Sequence, residues 1–231
     1  MTRESYLPLD NPVWHSLQTV QRYFALGTEQ IQRYKTDVLP FMGFDPETFT
    51  TLEEIRPWLA PGGESLFIVG ELPALPERWS LLNELVCLQM VCEEKPEKDK
   101  NEGREIIALT ATDKAAMLEF VNQVQPGYFL PETPELGNYF GIREKGKLIA
   151  MAGQRMQMAG LTEVSAVVTH PDHTGKGHAT ALVRHLCRVI FDAGDIPFLH
   201  VTKTNARAVA IYEQLKFKVR REISFWKVAV K

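Results

Sequence analysis

The spacing of apolar residues changes several times along this chain, and each change marks an element. Residues 161–169 are rich in valine and threonine, the composition of a half-buried strand. His170-Pro171-Asp172 ends it, because proline has no N–H for a strand ladder. After Thr174-Gly175-Lys176-Gly177-His178-Ala179 the apolar positions Leu182, Val183, Leu186, Val189 and Ile190 recur at helical spacing. The preceding stretch reads the same way. Residues 105–110 form a strand, Thr112-Asp113 caps a helix with Met117, Phe120, Val121 and Val124 on its apolar side, and Pro126-Gly127 ends it. Residues 138–143 and 148–158 make a hairpin around a charged turn. Gly194 closes the long helix, 196–201 is a strand, 205–216 a helix, and 217–230 the last strand or pair. The order β-α-β-β-β-α-β-α-β predicts an α/β fold with a mixed central sheet flanked by helices.

The first hundred residues are less regular. Asp10-Asn11-Pro12 starts a helix with Val13, Leu17, Val20, Phe24 and Leu26 on one face. A short helix follows Thr51, residues 65–70 form a strand, and 79–92 fits a helix or a strand. Residues 93–105, EEKPEKDKNEGRE, are the only sustained charge run and read as a solvated linker. The expected organisation is a smaller N-terminal α/β domain over 1–100, of unknown role, and a second domain over 101–231. The ten or so aromatics of the first segment are expected in its core.

Composition narrows the partners. At 231 residues, 45% hydrophobic and 24% charged, the chain is an ordinary globular protein. A net charge of −3 provides no footprint for nucleic acid. No apolar run approaches the roughly 20 residues that span a bilayer, and the start lacks a signal-peptide core, so no membrane and a cytoplasmic location are expected. Cys87, Cys92 and Cys187 form no CxxC pair and are expected as free thiols. His170, His173, His178 and His185 follow no metal-ligand spacing, so no metal is expected.

The glycine turn at 174–180 is the stretch with chemistry. A glycine turn feeding a helix start aims unpaired N–H groups at one point, which suits a phosphate. It is not a P-loop, since His170 and Gly177 stand where glycine and Ser/Thr are needed. Nor is it a dinucleotide fingerprint, since Thr180 replaces the last glycine.

Residues 138–228 resemble the GNAT superfamily of acyl-coenzyme A-dependent N-acyltransferases. The similarity lies in Val167-Val168-Thr169-His170-Pro171, in Thr174-Gly175-Lys176-Gly177-His178-Ala179, and in Asn205, Ala208, Tyr212 and Phe217. Thr169-x-Pro171 with alanine in the loop is nearest the branch related to glycine N-acyltransferases. Thr174 replaces the usual Gln or Arg, and Lys216-Phe217 the usual Gly-Phe. The resemblance implies acetyl-CoA as co-substrate and a small amine or a protein N-terminus as acceptor, with a homodimer left open.

Its implied roles agree with what the residues can do. The amides from Thr174 through Gly175, Lys176, Gly177, His178 and Ala179 to Thr180 would hold the pyrophosphate. Main-chain groups of Val167, Val168 and Thr169, at a bulged strand end, would align the pantetheine arm and polarise the carbonyl. Glu163, a carboxylate on an apolar strand, is expected with a raised pKa as the base, and His200 is its rival. Tyr212 would protonate the leaving thiolate, and Asn205 would contact the pantetheine or simply cap its helix. The alternative to an N-acetyltransferase is a non-catalytic acyl-CoA-binding module.

Overall fold

One sheet runs through the computed structural model, which describes residues 3–98 and 103–231, with side chains from residue 6. Its strands in chain order are β1 (Ala25–Gly27), β2 (Ile31–Tyr34), β3 (Phe41–Phe44), β4 (Ser65–Val69), β5 (Trp79–Cys92), β6 (Ile107–Leu109), β7 (Tyr139–Glu144), β8 (Lys147–Met158), β9 (Leu161–Thr169), β10 (Ile196–Thr202) and β11 (Phe217–Val230). The helices are α1 (Pro12–Gln18), α2 (Lys114–Val124), α3 (His178–Asp192) and α4 (Ala206–Gln214). Across the sheet the order is β1-β2-β3-β4-β11-β5-β10-β9-β8-β7-β6. The β3–β4 and β9–β10 pairs are parallel; every other neighbouring pair among the described residues is antiparallel.

The expected boundary near residue 100 does not fall between two sheets. β5 comes from the first segment, yet it pairs with β11 along its length and with β10 over Cys87–Val91. Its period-2 alternation and two flanking partners resolve the ambiguity of residues 79–92 in favour of a strand. Most described residues of the charge run after it are exposed, with 99–102 of the expected linker outside the described residues, and the run does not mark a break in the sheet.

The first helix is also shorter than its apolar spacing suggests. α1 stops at Gln18, Val20 is 57% exposed, and Ala25–Gly27 turns into the edge strand β1. Gly27 has φ +141, and a Cβ there would lie 2.2 Å from the Ile31 carbonyl oxygen. That close approach needs glycine and ends any helical reading. Asp113 is the N-cap of α2 but makes no side-chain cap bond to it; with Thr110 it caps the 3-10 turn Ala111–Asp113 that leads into α2, the Thr110 amide donating to Asp113 Oδ2 at 2.8 Å.

Helices cover both faces of the C-terminal strands. α3 buries Leu182, Leu186 and Ile190 against Ile149, Val164 and Leu199, and α2 buries Met117, Phe120 and Val121 against Leu109, Met151 and Val168. Each such side chain removed from water contributes roughly 1.5–3 kcal/mol. Among the described residues no helix is long and apolar enough to cross a membrane.

Three register shifts position the site. β9 carries one extra residue between Ser165 and Val168, where Ala166 has φ 49; β8 carries one between Gln154 and Gln157; β11 carries Arg220 between Val219 and Arg221. A bulge re-aims the side chains at its position, and all three shifts border the same interior.

Candidate active site

β9 and β10 begin as a parallel pair and then separate. They pair only where Leu161, Thr162 and Glu163 face Ile196, Pro197 and Phe198. Beyond that, β9 stays with β8 as far as Thr169 and β10 stays with β5 as far as Thr202. A cleft therefore opens in mid-sheet, just past Glu163, and the bulge at Ala166 lies on its rim.

One side of β9 borders a cavity of about 430 Å³. Gly177, at φ 78, is the N-cap of α3, and Gly175 has the same φ; both conformations favour glycine. The turn delivers the first amides of α3, which have no carbonyl partner inside the helix, to the cavity wall. Of the expected residues, Val167, Thr169, Thr174, Gly175 and Gly177 line it, as do His178, Ala179, Thr180, Asn205 and Tyr212. Val168 does not, because the strand alternation turns its side chain into the core under α2. Lys176 is not in the wall; its carbonyl instead accepts a hydrogen bond from Arg104 Nη2 at 2.6 Å. The Thr174 amide is also engaged, donating to the Pro171 carbonyl at 3.3 Å.

Asn205 is the N-cap of α4, its Oδ1 accepting from the Ala208 amide at 3.1 Å. The plainer of its two expected roles is the one seen, although the residue also faces the cavity. Tyr212 follows on the same helix, its ring edge-on to Phe217 at 5.9 Å. Burial pushes its phenol up to about 12, with a further push from Cys187. Two wall residues escaped the sequence reading. Arg207, two residues after Asn205, brings a cation, and His173 brings a second imidazole. Arg207 lies next to a recognisable motif position, which is the one signal it carried. The Nδ1 atoms of His173 and His178 are buried without hydrogen-bond partners.

The other side of the cleft is a smaller chamber of about 110 Å³. Tyr128, Phe129, Tyr139 and Phe225 form its aromatic wall, and Ser165 and Ala166 of the bulge form its lip. Glu163 lies beneath, fully buried. Its carboxylate accepts from Arg155 Nε at 2.8 Å and Nη2 at 2.6 Å, and from the Met156 amide at 3.2 Å. The bulge in β8 is what turns Arg155 and that amide toward it. Burial alone would raise the Glu163 pKa, but the guanidinium charge and hydrogen bonds, with His200 adding to them, hold it at about 2. The expected raised pKa is thus reversed. A carboxylate of that strength has little tendency to take a proton near neutrality.

His200 fares no better as a free base. Its Nδ1 is 2.8 Å from Glu163 Oε1 and its Nε2 is 3.0 Å from Gln89 Nε2. Gln89 Nε2 also donates to the Leu9 carbonyl at 2.8 Å, while Gln89 Oε1 accepts from Arg220 Nη1 at 2.7 Å. These partners orient the amide so that its N–H meets His200 Nε2. The imidazole is then neutral, donating from Nδ1 and accepting at Nε2. Burial lowers its pKa and outweighs the attraction of Glu163. Both base candidates sit together, but inside a saturated network.

Among the described residues no group of three or more His, Cys, Asp or Glu side chains could hold a metal. An open groove of about 750 Å³ between α2 and the β7–β8 turn shares only His173 with the cavity and does not reach the cleft.

A sheet split between two parallel strands, with a helix start on one side and a chamber on the other, is the arrangement that the resemblance to the GNAT superfamily implies. The comparisons with known proteins agree. A family model described as FR47-like protein matches residues 139–226. A GNAT-family protein from Novosphingobium aromaticivorans is 29% identical, with a TM-score of 0.88 over 97% of this chain and 99% of that one. A GCN5-related N-acetyltransferase from Kribbella flavida has a TM-score of 0.60 at 17% identity, over 94% and 91% of the two chains. A GCN5-related N-acetyltransferase-like protein from Streptococcus suis has a TM-score of 0.54 at 13% identity, over 87% and 82%. These last two speak for the fold alone. No curated protein matches the chain. Over residues 139–226 the chain is similar to the FR47-like family, and its fold is that of GNAT-family proteins.

Proposed function

We propose that this protein transfers an acetyl group from acetyl-CoA to a primary amine by direct attack, without a covalent enzyme intermediate. The observation that carries this reading is the cleft itself. The bulge of β9 stands between a cavity walled by the α3 turn and a chamber of different character, so two reactants could meet there. The amides at the start of α3 would hold the pyrophosphate, and Arg207 would add charge to that grip. Main-chain groups around Val167 would polarise the thioester carbonyl.

Tyr212 stays protonated at neutral pH and so remains a hydrogen-bond donor. Its hydroxyl would stabilise the sulfur as negative charge develops there. The neutral amine forms the new C–N bond, the C–S bond breaks, and the proton shed by nitrogen balances the one the thiolate gains. Glu163 and His200 then act as positioning residues that hold the chamber wall. Cys87, Cys92 and Cys187, all free and buried, support a cytoplasmic place.

The closed state of Glu163 and His200 is the observation that speaks for a second reading, a non-catalytic acyl-CoA-binding module. Thiol release from acetyl-CoA with a panel of amines separates the two. Tyr212→Phe should lower kcat by about a hundredfold while CoA binding persists. Tight CoA binding with no turnover of any amine favours the module.

A further inference from the structure

The chamber carries a group that the reaction above leaves unused. Arg155 commits Nε and Nη2 to Glu163, and its third nitrogen, Nη1, makes no hydrogen bond among the described residues. Nη1 is not among the buried atoms left without a partner, so it is accessible, and the open space against Arg155 is this chamber. A guanidinium has five N–H donors, and two of them are on Nη1. They suit a carbonyl or carboxylate oxygen.

Charge and size constrain the rest of the ligand. Arg155 and Glu163 cancel, and His200 is neutral, so an alkylammonium in the chamber would find no carboxylate free to pair with it. No free base is present to deprotonate it there. The amine must therefore arrive neutral. The α-amino group of a peptide is roughly one-third neutral near pH 7.5, whereas a lysine-like amine is neutral in roughly one molecule per thousand. The wall of Tyr128, Phe129 and Phe225 suits an apolar side chain, and about 110 Å³ leaves room for a small one.

We infer that the chamber takes an α-aminoacyl acceptor, with its amine at the Ala166 bulge, its carbonyl or carboxylate oxygen on Arg155 Nη1, and a small apolar side chain against the aromatic wall. Free amino acids carry the same α-aminoacyl group with a more basic amine, and their carboxylate is the stronger partner for Arg155. The inference rests on the acyl-transfer reading and adds selectivity to it.

The test uses the full chain, acetyl-CoA and three probes: alanine, alaninamide, and a fluorinated ethylamine matched to alaninamide in amine pKa but lacking a carbonyl. The kcat/KM for alanine or alaninamide should exceed that for the fluorinated amine at least tenfold. A higher value for alanine identifies the free amino acid as the source, and a higher value for alaninamide the peptide N-terminus. In Arg155→Lys, which keeps the charge and loses the fork, the ratio should collapse, with folding checked by thermal unfolding and by CoA titration. If that variant does not fold, the wild-type ratio decides alone. Equal turnover of the matched amines, or an unchanged ratio in a folded Arg155→Lys, overturns this inference and leaves acyl transfer standing. Thiol release with none of a broad amine panel overturns both.

Discussion

The two sides of β9 are built on different principles. The cavity side is made largely of consecutive residues and their main chain: a turn with two left-handed glycines, a helix start, and one face of α4. The chamber side is made of side chains drawn from positions 85 to 225, and a buried ion pair lies under its floor. The cavity offers shape and backbone dipoles. Beneath the chamber the charges are buried, so each needs a fixed partner, and the partners come from five different strands. One region is a local device, and the other exists only once the sheet has closed.

Removing one partner of the buried pair should show the largest effect. Glu163→Gln leaves Arg155 charged and unpaired in the interior, which should cost about 3–5 kcal/mol in denaturant unfolding. The pH dependence of stability should carry the same signature. The Glu163 carboxyl is held at about 2, below the 4.5 of a free glutamate, so its contribution is complete above about pH 4.5 and is lost as pH falls toward 2. His200 is also held below its ordinary value, so the unfolded chain takes up that proton first and stability begins to fall below about pH 6.5. Urea titrations across pH should show both limbs in the native chain, and Glu163→Gln should shrink the lower one, to which Asp10 and Asp113 also contribute. An unchanged acid limb in the variant would mean that the chamber floor is not built on this ion pair.

On the cavity side the effects should be smaller and confined to the ligand. Gly177→Val places a branched residue at φ 78, a strain of about 1–2 kcal/mol at the start of α3. CoA affinity by calorimetry should fall about tenfold, with the acid limb of unfolding untouched. Arg207→Ala should have the least effect. A single cation at a solvent-facing wall should change CoA affinity about three- to fivefold and make it less sensitive to salt. If Arg207→Ala weakened binding more than Gly177→Val does, side chains rather than backbone would dominate that side.

The contrast also explains which parts could be read in advance. β9 spans the expected residues, because valine and threonine alternation and a following proline are local signals. The α3 turn was likewise legible, since only glycine accepts its φ values freely. Tyr212 was found through its spacing from Asn205. The protonation of Glu163 was not legible, because its sign depends on Arg155, eight residues away across a bulged hairpin, and on His200 from another strand. Nothing in the stretch around Arg220 tells that a bulge aims it at Gln89. Arg155 carried no signal either: an arginine on a strand of mixed polarity reads as an exposed residue until the sheet closes over it. The charge run after β5 misled in the opposite direction, since the strands on either side of it belong to a single continuous sheet.

The sequence by itself determined the period of each C-terminal element, the left-handed glycines and the helix start that suits an anion, because these depend on neighbours within a few residues. Tertiary structure alone decided which carboxylate is ionised, which imidazole nitrogen carries the proton, and which side chains line the chamber. Those properties are electrostatic energies in a desolvated interior, and they depend on distances between residues that the chain brings together only on folding.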